Sequence, residues 1–320
     1  TYNENCDIQK KKQMKILVLG SNGLVGSSLV RVLGKNNEYN IHPSTRKDTN
    51  LFIKEETEKL INNVKPNLII NAAAKVGGIV ANNTNRTEFI LENLKININL
   101  LESIIPNNEI KLINLGSSCI YPLDSPNPIN EDNLMNGKLE PTNSPYAMAK
   151  LTAIEMGDAL SQQYGHSIIN LMPTNLYGPN DNFSETSSHV IPGLIRRLTI
   201  AKHNKDEVFK VWGTGTPKRE FLHVDDLSDA IKFLIENNEV PKLINVGSGQ
   251  EVTIKELVSL LVDITSYKGE VVYDSSMPDG NPRKLLDSSK LNEMGWNSSI
   301  DLDTGLENTY KWFMENEFKL

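Results

Sequence analysis

Residues 15–34 read KILVLGSNGLVGSSLVRVLG. The apolar run 15–19 is continuous rather than alternating, as expected of a strand covered on both faces. It stops at Gly20, and from Leu24 onward the sequence reads as a helix. Between the two stand Gly20, Ser21, Asn22, Gly23, Leu24, Val25 and Gly26, a triplet with the spacing G-x-x-G-x-x-G. Between a strand and a helix, such glycines permit a tight turn and let a pyrophosphate approach the helix N-terminus. The free N–H groups and the helix dipole there then hold the phosphates. Residues 20–26 therefore read as a dinucleotide cradle.

Working outward, strand-like and helix-like segments alternate. A weaker strand lies around Tyr39–His42, a helix around Glu55–Val64 and an apolar strand at 67–71. A periodic helix covers about Arg86–Ile105, followed by a strand at 111–116, a helix at about Tyr146–Tyr164 and a strand at 167–173. This alternation predicts an α/β fold, a Rossmann-type doubly wound parallel sheet. The region 122–145, rich in Pro and Asn, reads as loop. After Gly178 the pattern loosens, which predicts a smaller α/β C-terminal substrate domain. The expected division is 1–13 as a disordered extension, 14–178 as the nucleotide-binding domain and 179–320 as mainly substrate-binding. Segments near 212–248 are expected to return to the first domain.

The 320 residues carry a net charge of −7, which disfavours non-specific attraction to nucleic acid. An anionic ligand would need a local basic patch. Two cysteines, Cys6 and Cys119, are too few for a disulfide framework and point to a reducing, cytoplasmic setting. No apolar run is long enough to span a membrane, and the polar opening stretch is not a secretory signal. No metal site is expected.

Three further features carry chemistry. The second strand does not end in the acidic residue that usually accepts a ribose 2′-hydroxyl. Instead Arg46 stands in STRKD, and a guanidinium suits a 2′-phosphate, so NADP(H) is preferred to NAD(H). Residues 146–150, YAMAK, place Tyr146 and Lys150 one turn apart on one helix face. A nearby ammonium is expected to lower the phenol's pKa, fitting the pair for proton delivery to a carbonyl oxygen. Ser117 ends a buried strand, where an open α/β sheet holds its ligands. Ser118 competes for that role, and spacing does not choose between them.

With the glycine turn, the serine and YxxxK in place, the chain resembles the extended short-chain dehydrogenase/reductases that act on nucleotide sugars. It is similar in particular to the GDP-L-fucose synthase family across about residues 14–316. The stretches that carry the likeness include NAAAKVGGIVANNT (71–84), LGSSCIYP (115–122), EPTNSPYAMAK (140–150), MPTNLYGPNDNF (172–183), SHVIPGLIRR (188–197), VWGTGTPKREFLHVDD (211–226) and PDGNPRKLLD (278–287). The resemblance implies NADPH-dependent 3,5-epimerisation and 4-reduction of GDP-4-keto-6-deoxy-D-mannose by a homodimer. A related GDP-4-keto-6-deoxy-heptose is the alternative substrate, and a nucleotide-sugar 4-epimerase a more distant one.

The resemblance implies roles as well. Ser117, Tyr146 and Lys150 would form the reductase triad, Cys119 would be the epimerisation base and His189 its acid. Cofactor contacts would extend to Leu51, Ala73, Lys150, Pro173, Asn175, Leu176 and His189. Arg197, Trp212, Arg219 and Asp279 would bind the GDP-sugar. The glycines at 77 and 78 would allow the backbone to approach a sugar. Asn22 departs from the arginine often found there in the bacterial family and leaves more of the 2′-phosphate binding to Arg46.

Overall fold

The computed structural model describes residues 13–277 and 279–318, so most of the expected extension 1–13 lies outside the described residues. The first strand, β1 (Met14–Leu19), buries Ile16 to Leu19 completely or nearly so. The chain continues through α1 (Leu24–Leu33), β2 (Tyr39–Ser44), α2 (Lys54–Val64), β3 (Leu68–Asn71), α3 (Ile79–Thr84), α4 (Arg86–Ile104) and β4 (Lys111–Leu115). After a long loop come α5 (Ser144–Tyr164), β5 (Ile168–Pro173), β6 (Asn175–Tyr177), α6 (Val190–Asn204), β7 (Val208–Trp212) and β8 (Lys218–His223). The remainder is α7 (Val224–Glu236), β9 (Leu243–Val246), β10 (Glu251–Thr253), α8 (Ile254–Thr265), β11 (Glu270–Asp274), β12 (Arg283–Lys284), α9 (Ser289–Glu293) and α10 (Leu302–Asn316). The stretch VGGIVANNT (76–84) contains the short helix α3.

Six parallel strands form the main sheet in the order β2-β1-β3-β4-β5-β9. Alternate residues of β1 feed two cores. Ile16 and Val18 meet α1 and α7 through Leu29, Leu33, Leu227 and Ile231. Leu17 and Leu19 meet α2, α4 and α5 through Ile61, Leu100, Ile104 and Leu160. Helices on both faces explain why the strand reads as an unbroken apolar run. The chain leaves β1 toward β2 and returns to β3 on the other side, so the order reverses between β1 and β3. Ligands of open α/β sheets bind outside the carboxyl ends at such a point.

Two glycines at that point have no substitute. Gly20 has φ +73°, and a Cβ there would lie 2.8 Å from the Ala73 Cα at the end of β3. At Gly26 an added Cβ would overlap the Gly20 carbonyl oxygen. No acidic residue occupies the first turn of α1, and no side chain caps it. Its N-terminal N–H groups therefore face the crevice without an intrahelical acceptor.

Buried amides cross the same sheet. Asn71 donates to Asn114 at 3.1 Å and Asn114 to Asn170 at 3.3 Å, on three neighbouring strands. Asn71 also donates to Asn97 of α4, and its own carbonyl oxygen accepts from the Ala73 N–H.

The remaining strands make two smaller sheets. In one, β8 pairs with β6, β10 and β12; in the other, β7 pairs with β11. Their core is built from Ile195 and Leu198 of α6, Phe209, Leu257 and Leu261 of α8, and Phe313 of α10. Residues 208–223 thus belong to these smaller sheets, and the return to the large one begins at α7. There Ser228 meets Ser28 at 2.7 Å and Asp225 pairs with Arg31. No helix among the described residues is long and apolar enough to cross a membrane.

Candidate active site

Ser117 follows β4 in extended backbone, and its hydroxyl accepts the Cys119 N–H at 3.1 Å. This cap starts a 3-10 turn over Ser118–Ile120. The turn buries Ser118 and Ile120 and leaves Ser117 and Cys119 half-buried at the cleft. Ser117 hydrogen-bonds the Tyr146 hydroxyl, whereas Ser118 is buried in the turn.

Tyr146 and Lys150 stand on the buried face of α5, whose first turn carries Pro145, a residue suited to a helix start. Lys150 Nζ lies 5.9 Å from the centre of the Tyr146 ring and donates to the Leu115 carbonyl at 2.7 Å. Burial lowers the Lys150 pKa to about 8. For Tyr146 the sequence-based expectation of a lowered pKa is corrected. Burial and the nearby Cys119 push it well above the ordinary value, and the Ser117 hydrogen bond offsets this only in part. Desolvation by burial is the largest cause, so Tyr146 stays a protonated phenol at neutral pH.

Cys119 is a free thiol packed against Ala81, Phe89 and Tyr146. Phe89 meets the Tyr146 ring edge-on, with centroids 6.4 Å apart. Arg219 of β8 interacts electrostatically with both Cys119 and Asp279, and Nη1 donates to the Lys218 carbonyl. A guanidinium, charged at any relevant pH, thus stands in the field of the thiol. His189 is the N-cap of α6. Its ring is open to solvent, but surrounding protein holds its pKa below the ordinary histidine range. Among the described residues no cluster of His, Cys, Asp and Glu suits a metal ion.

The other predicted residues fall into two groups. Near the cradle, Arg46 lies just beyond β2, exposed, with its guanidinium 4.8 Å over the Phe52 ring. Ala73 abuts Gly20, Leu51 packs beside the core under α4, and Pro173 ends β5. Asn175 donates to the Glu220 carbonyl at 2.8 Å, and Leu176 packs on the other core.

In the smaller lobe, the Arg197 guanidinium lies over Phe209 and Trp212 at 4.9 and 5.9 Å and bonds to the Lys210 carbonyl. Trp212 is 58% exposed, so much of a large aromatic face stays open to solvent beside Arg197. Asp279 accepts from the Thr214 N–H at 2.7 Å and from its hydroxyl at 2.8 Å. It therefore closes the loop after Trp212, whose Gly213 and Gly215 have φ near +80°. Phe89, Asn82 and the 187–188 backbone also belong to this neighbourhood, and sequence reasoning did not single them out.

A glycine cradle at the switch of a parallel sheet, with Ser117, Tyr146 and Lys150 beside it, defines the extended short-chain dehydrogenase/reductase class. The chain belongs to the NAD dependent epimerase/dehydratase family, whose model matches residues 16–247. Its relatives include a probable GDP-L-fucose synthase 1 of Oryza sativa subsp. japonica, 48% identical over 99% of this chain and 97% of that one. Among solved structures, a GDP-6-OMe-4-keto-L-xylo-heptose reductase from C. jejuni superposes with a TM-score of 0.88 at 30% identity. That match covers 95% of this chain and 99% of the other. A GDP-L-fucose synthetase from Naegleria fowleri bound to NADP gives 0.86 at 26% identity, over 95% of each chain. The resemblance to the GDP-L-fucose synthase family read from the sequence therefore holds over nearly the full length.

Proposed function

We propose that this chain is an NADPH-dependent 3,5-epimerase and 4-reductase that converts GDP-4-keto-6-deoxy-D-mannose to GDP-L-fucose. The observation that carries the reading is the placement of Cys119 against Tyr146 and within the field of Arg219. A ketone reductase needs the serine, tyrosine and lysine but no further base; an enzyme that also deprotonates carbon needs one, and Cys119 is the group at hand.

The C4 ketone acidifies the hydrogens on C3 and C5. The Cys119 thiolate, beside Arg219, takes a proton from one face of each carbon. His189, as imidazolium, returns one to the opposite face and inverts the centre. This step requires a charged His189, whose pKa is lowered by desolvation, so its rate should fall as pH rises through that lowered value. NADPH, when bound, supplies the hydride to C4. Ser117 hydrogen-bonds the ketone oxygen, and Tyr146 gives it the proton that completes the alcohol. Lys150 stabilises the phenolate left on Tyr146. Arg197 and Arg219 hold the diphosphate and Trp212 covers the sugar or base.

The cradle residues fit this cofactor, since a Cβ at Gly20 or Gly26 would fill the turn that receives the pyrophosphate. Arg46 receives the 2′-phosphate. Arg46→Ala should raise the Kd for NADPH by about 10- to 100-fold, the worth of hydrogen bonds to a charged group, and leave NADH binding unchanged. Equal losses for both cofactors, read by fluorescence titration, would remove Arg46 from that role.

The likeness to a heptose reductase favours a second reading, the same chemistry on a GDP-4-keto-6-deoxy-heptose. Competition between the two ketosugars, compared by kcat/KM, separates them. Turnover of the hexose in heavy water with NADPH tests the main reading. Product NMR should show deuterium at C3 and C5 and reduction at C4; absence of NADPH consumption rejects it. A catalytic thiol that must stay reduced supports a reducing, cytoplasmic setting for the enzyme. We assign a homodimer contact to the α4–α5 face, where exposed Leu91 and Met148 flank an apolar depression lined by Ile90, Leu139 and Pro145.

A further inference from the structure

Epimerisation as proposed needs His189 held on the sugar face opposite Cys119. His189 stands at the end of a loop, and its side chain makes no capping bond to α6. Asn182 and Ser184 hydrogen-bond Ser187 within that loop, and a further tie comes from the other domain. The Gly78 N–H donates to the Ser187 carbonyl at 3.0 Å. Gly78 has φ −66°, an angle open to any residue, so conformation does not require glycine. Space does: a Cβ at Gly78 would lie 2.5 Å from the Ser188 carbonyl oxygen, one residue before His189. That oxygen is backbone and has no rotamer by which to swing aside.

Gly77 is confined as well. A Cβ there would lie 3.1 Å from the Ala81 Cβ and 3.2 Å from the Phe89 ring, the ring that backs Tyr146. The turn is tied down by Asn82, which is buried and donates to the carbonyls of Gly77 at 2.6 Å and Gly78 at 3.1 Å. The two glycines, read from the sequence as room for a sugar, make room here for the protein's own backbone. One side of the turn touches the His189 loop and the other touches the support of Tyr146.

We propose that Gly78, braced by Asn82, is a positioning residue for His189, docking the 187–188 backbone so that the acid of epimerisation is set relative to Tyr146. This rests on the role given to His189 above. Misplacing a catalytic group by about 1 Å costs on the order of 100-fold. The cost falls chiefly on epimerisation, because the proton that completes C4 reduction comes from Tyr146 rather than His189. A displaced loop therefore lets the ketone be reduced before C3 and C5 invert, and a GDP-6-deoxyhexose of D configuration accumulates.

The test is turnover of the ketosugar with NADPH in heavy water by the wild type, Gly78→Ala and Asn82→Ala, with products resolved by NMR. The variants should raise the ratio of D- to L-configured product by about tenfold or more and lose solvent deuterium at C3 and C5. Their Kd for NADPH should stay within about twofold of wild type, since neither residue lies in the cofactor cradle. Asn82→Ala adds no atom to the packed turn and decides the matter if Gly78→Ala does not fold. Variants that slow but keep the wild-type product ratio would show a merely structural role and overturn the inference. A wild-type enzyme that incorporates no deuterium overturns the functional reading first, and the inference with it.

Discussion

Tyr146→Phe should lower the rate of C4 reduction by about 10³-fold, the usual range for losing a positioned general acid. Solvent deuterium exchange at C3 and C5 should persist, because that step belongs to Cys119 and His189. The variant loses one hydroxyl and keeps the ring against Phe89, so packing is preserved. Single-turnover NADPH oxidation and NMR of the recovered ketosugar read the two steps separately. Equal loss of both would mean that Tyr146 also serves the carbon chemistry. The pH dependence follows from the same geometry. Tyr146 stays protonated through neutral pH, whereas Lys150 passes from charged to neutral as pH rises through about 8. Reduction should therefore decline above that value, as the phenolate formed on Tyr146 loses its cation. A rate that keeps rising well past it would contradict this assignment.

Cys119→Ser is expected to have the converse effect. Isotope incorporation at C3 and C5 should fall by about 10³-fold or more, because an alcohol gives up its proton far less readily than a thiol and so yields far less of the basic anion. NADPH binding should hold, since Cys119 packs on the tyrosine side of the site, away from the cradle. Serine is close in size, so the half-buried pocket is not emptied. If exchange survives intact, Cys119 is a packing residue and another group is the base at C3 and C5.

What the sequence made legible was what is local. The strand, glycine turn and helix at 15–34 are contiguous, and YxxxK fixes two side chains on one turn of α5. The apolar run of β1 announces a sheet covered on both sides before any partner is known. The serine ambiguity was not readable, because it depends on a 3-10 turn begun by the Ser117 hydroxyl itself. The meeting of Cys119 with Arg219 links residues 100 positions apart in the chain. The docking of Gly78 on Ser187 is equally remote, so the glycines were given to a ligand when a second backbone takes the space. The pKa of Tyr146 was misjudged for a related reason. The helix spacing shows a lysine near a phenol, but not that both are buried or that the lysine bonds to Leu115.

The asparagines of β3, β4 and β5 have a further effect. Asn71, Asn114 and Asn170 are paired with one another in the strand register as well as through their amides. A slip of one residue in any of these strands would turn an amide to the opposite face, into an apolar layer. Each orphaned amide would cost about 1–3 kcal/mol, whereas slipped leucines and isoleucines would lose little. The row therefore acts as a key that admits one alignment of otherwise interchangeable apolar strands. Ala73, Ser117 and Pro173 lie two or three residues beyond these asparagines. The same key that selects the native pairing brings the strand ends level, and the reacting groups are carried there with them.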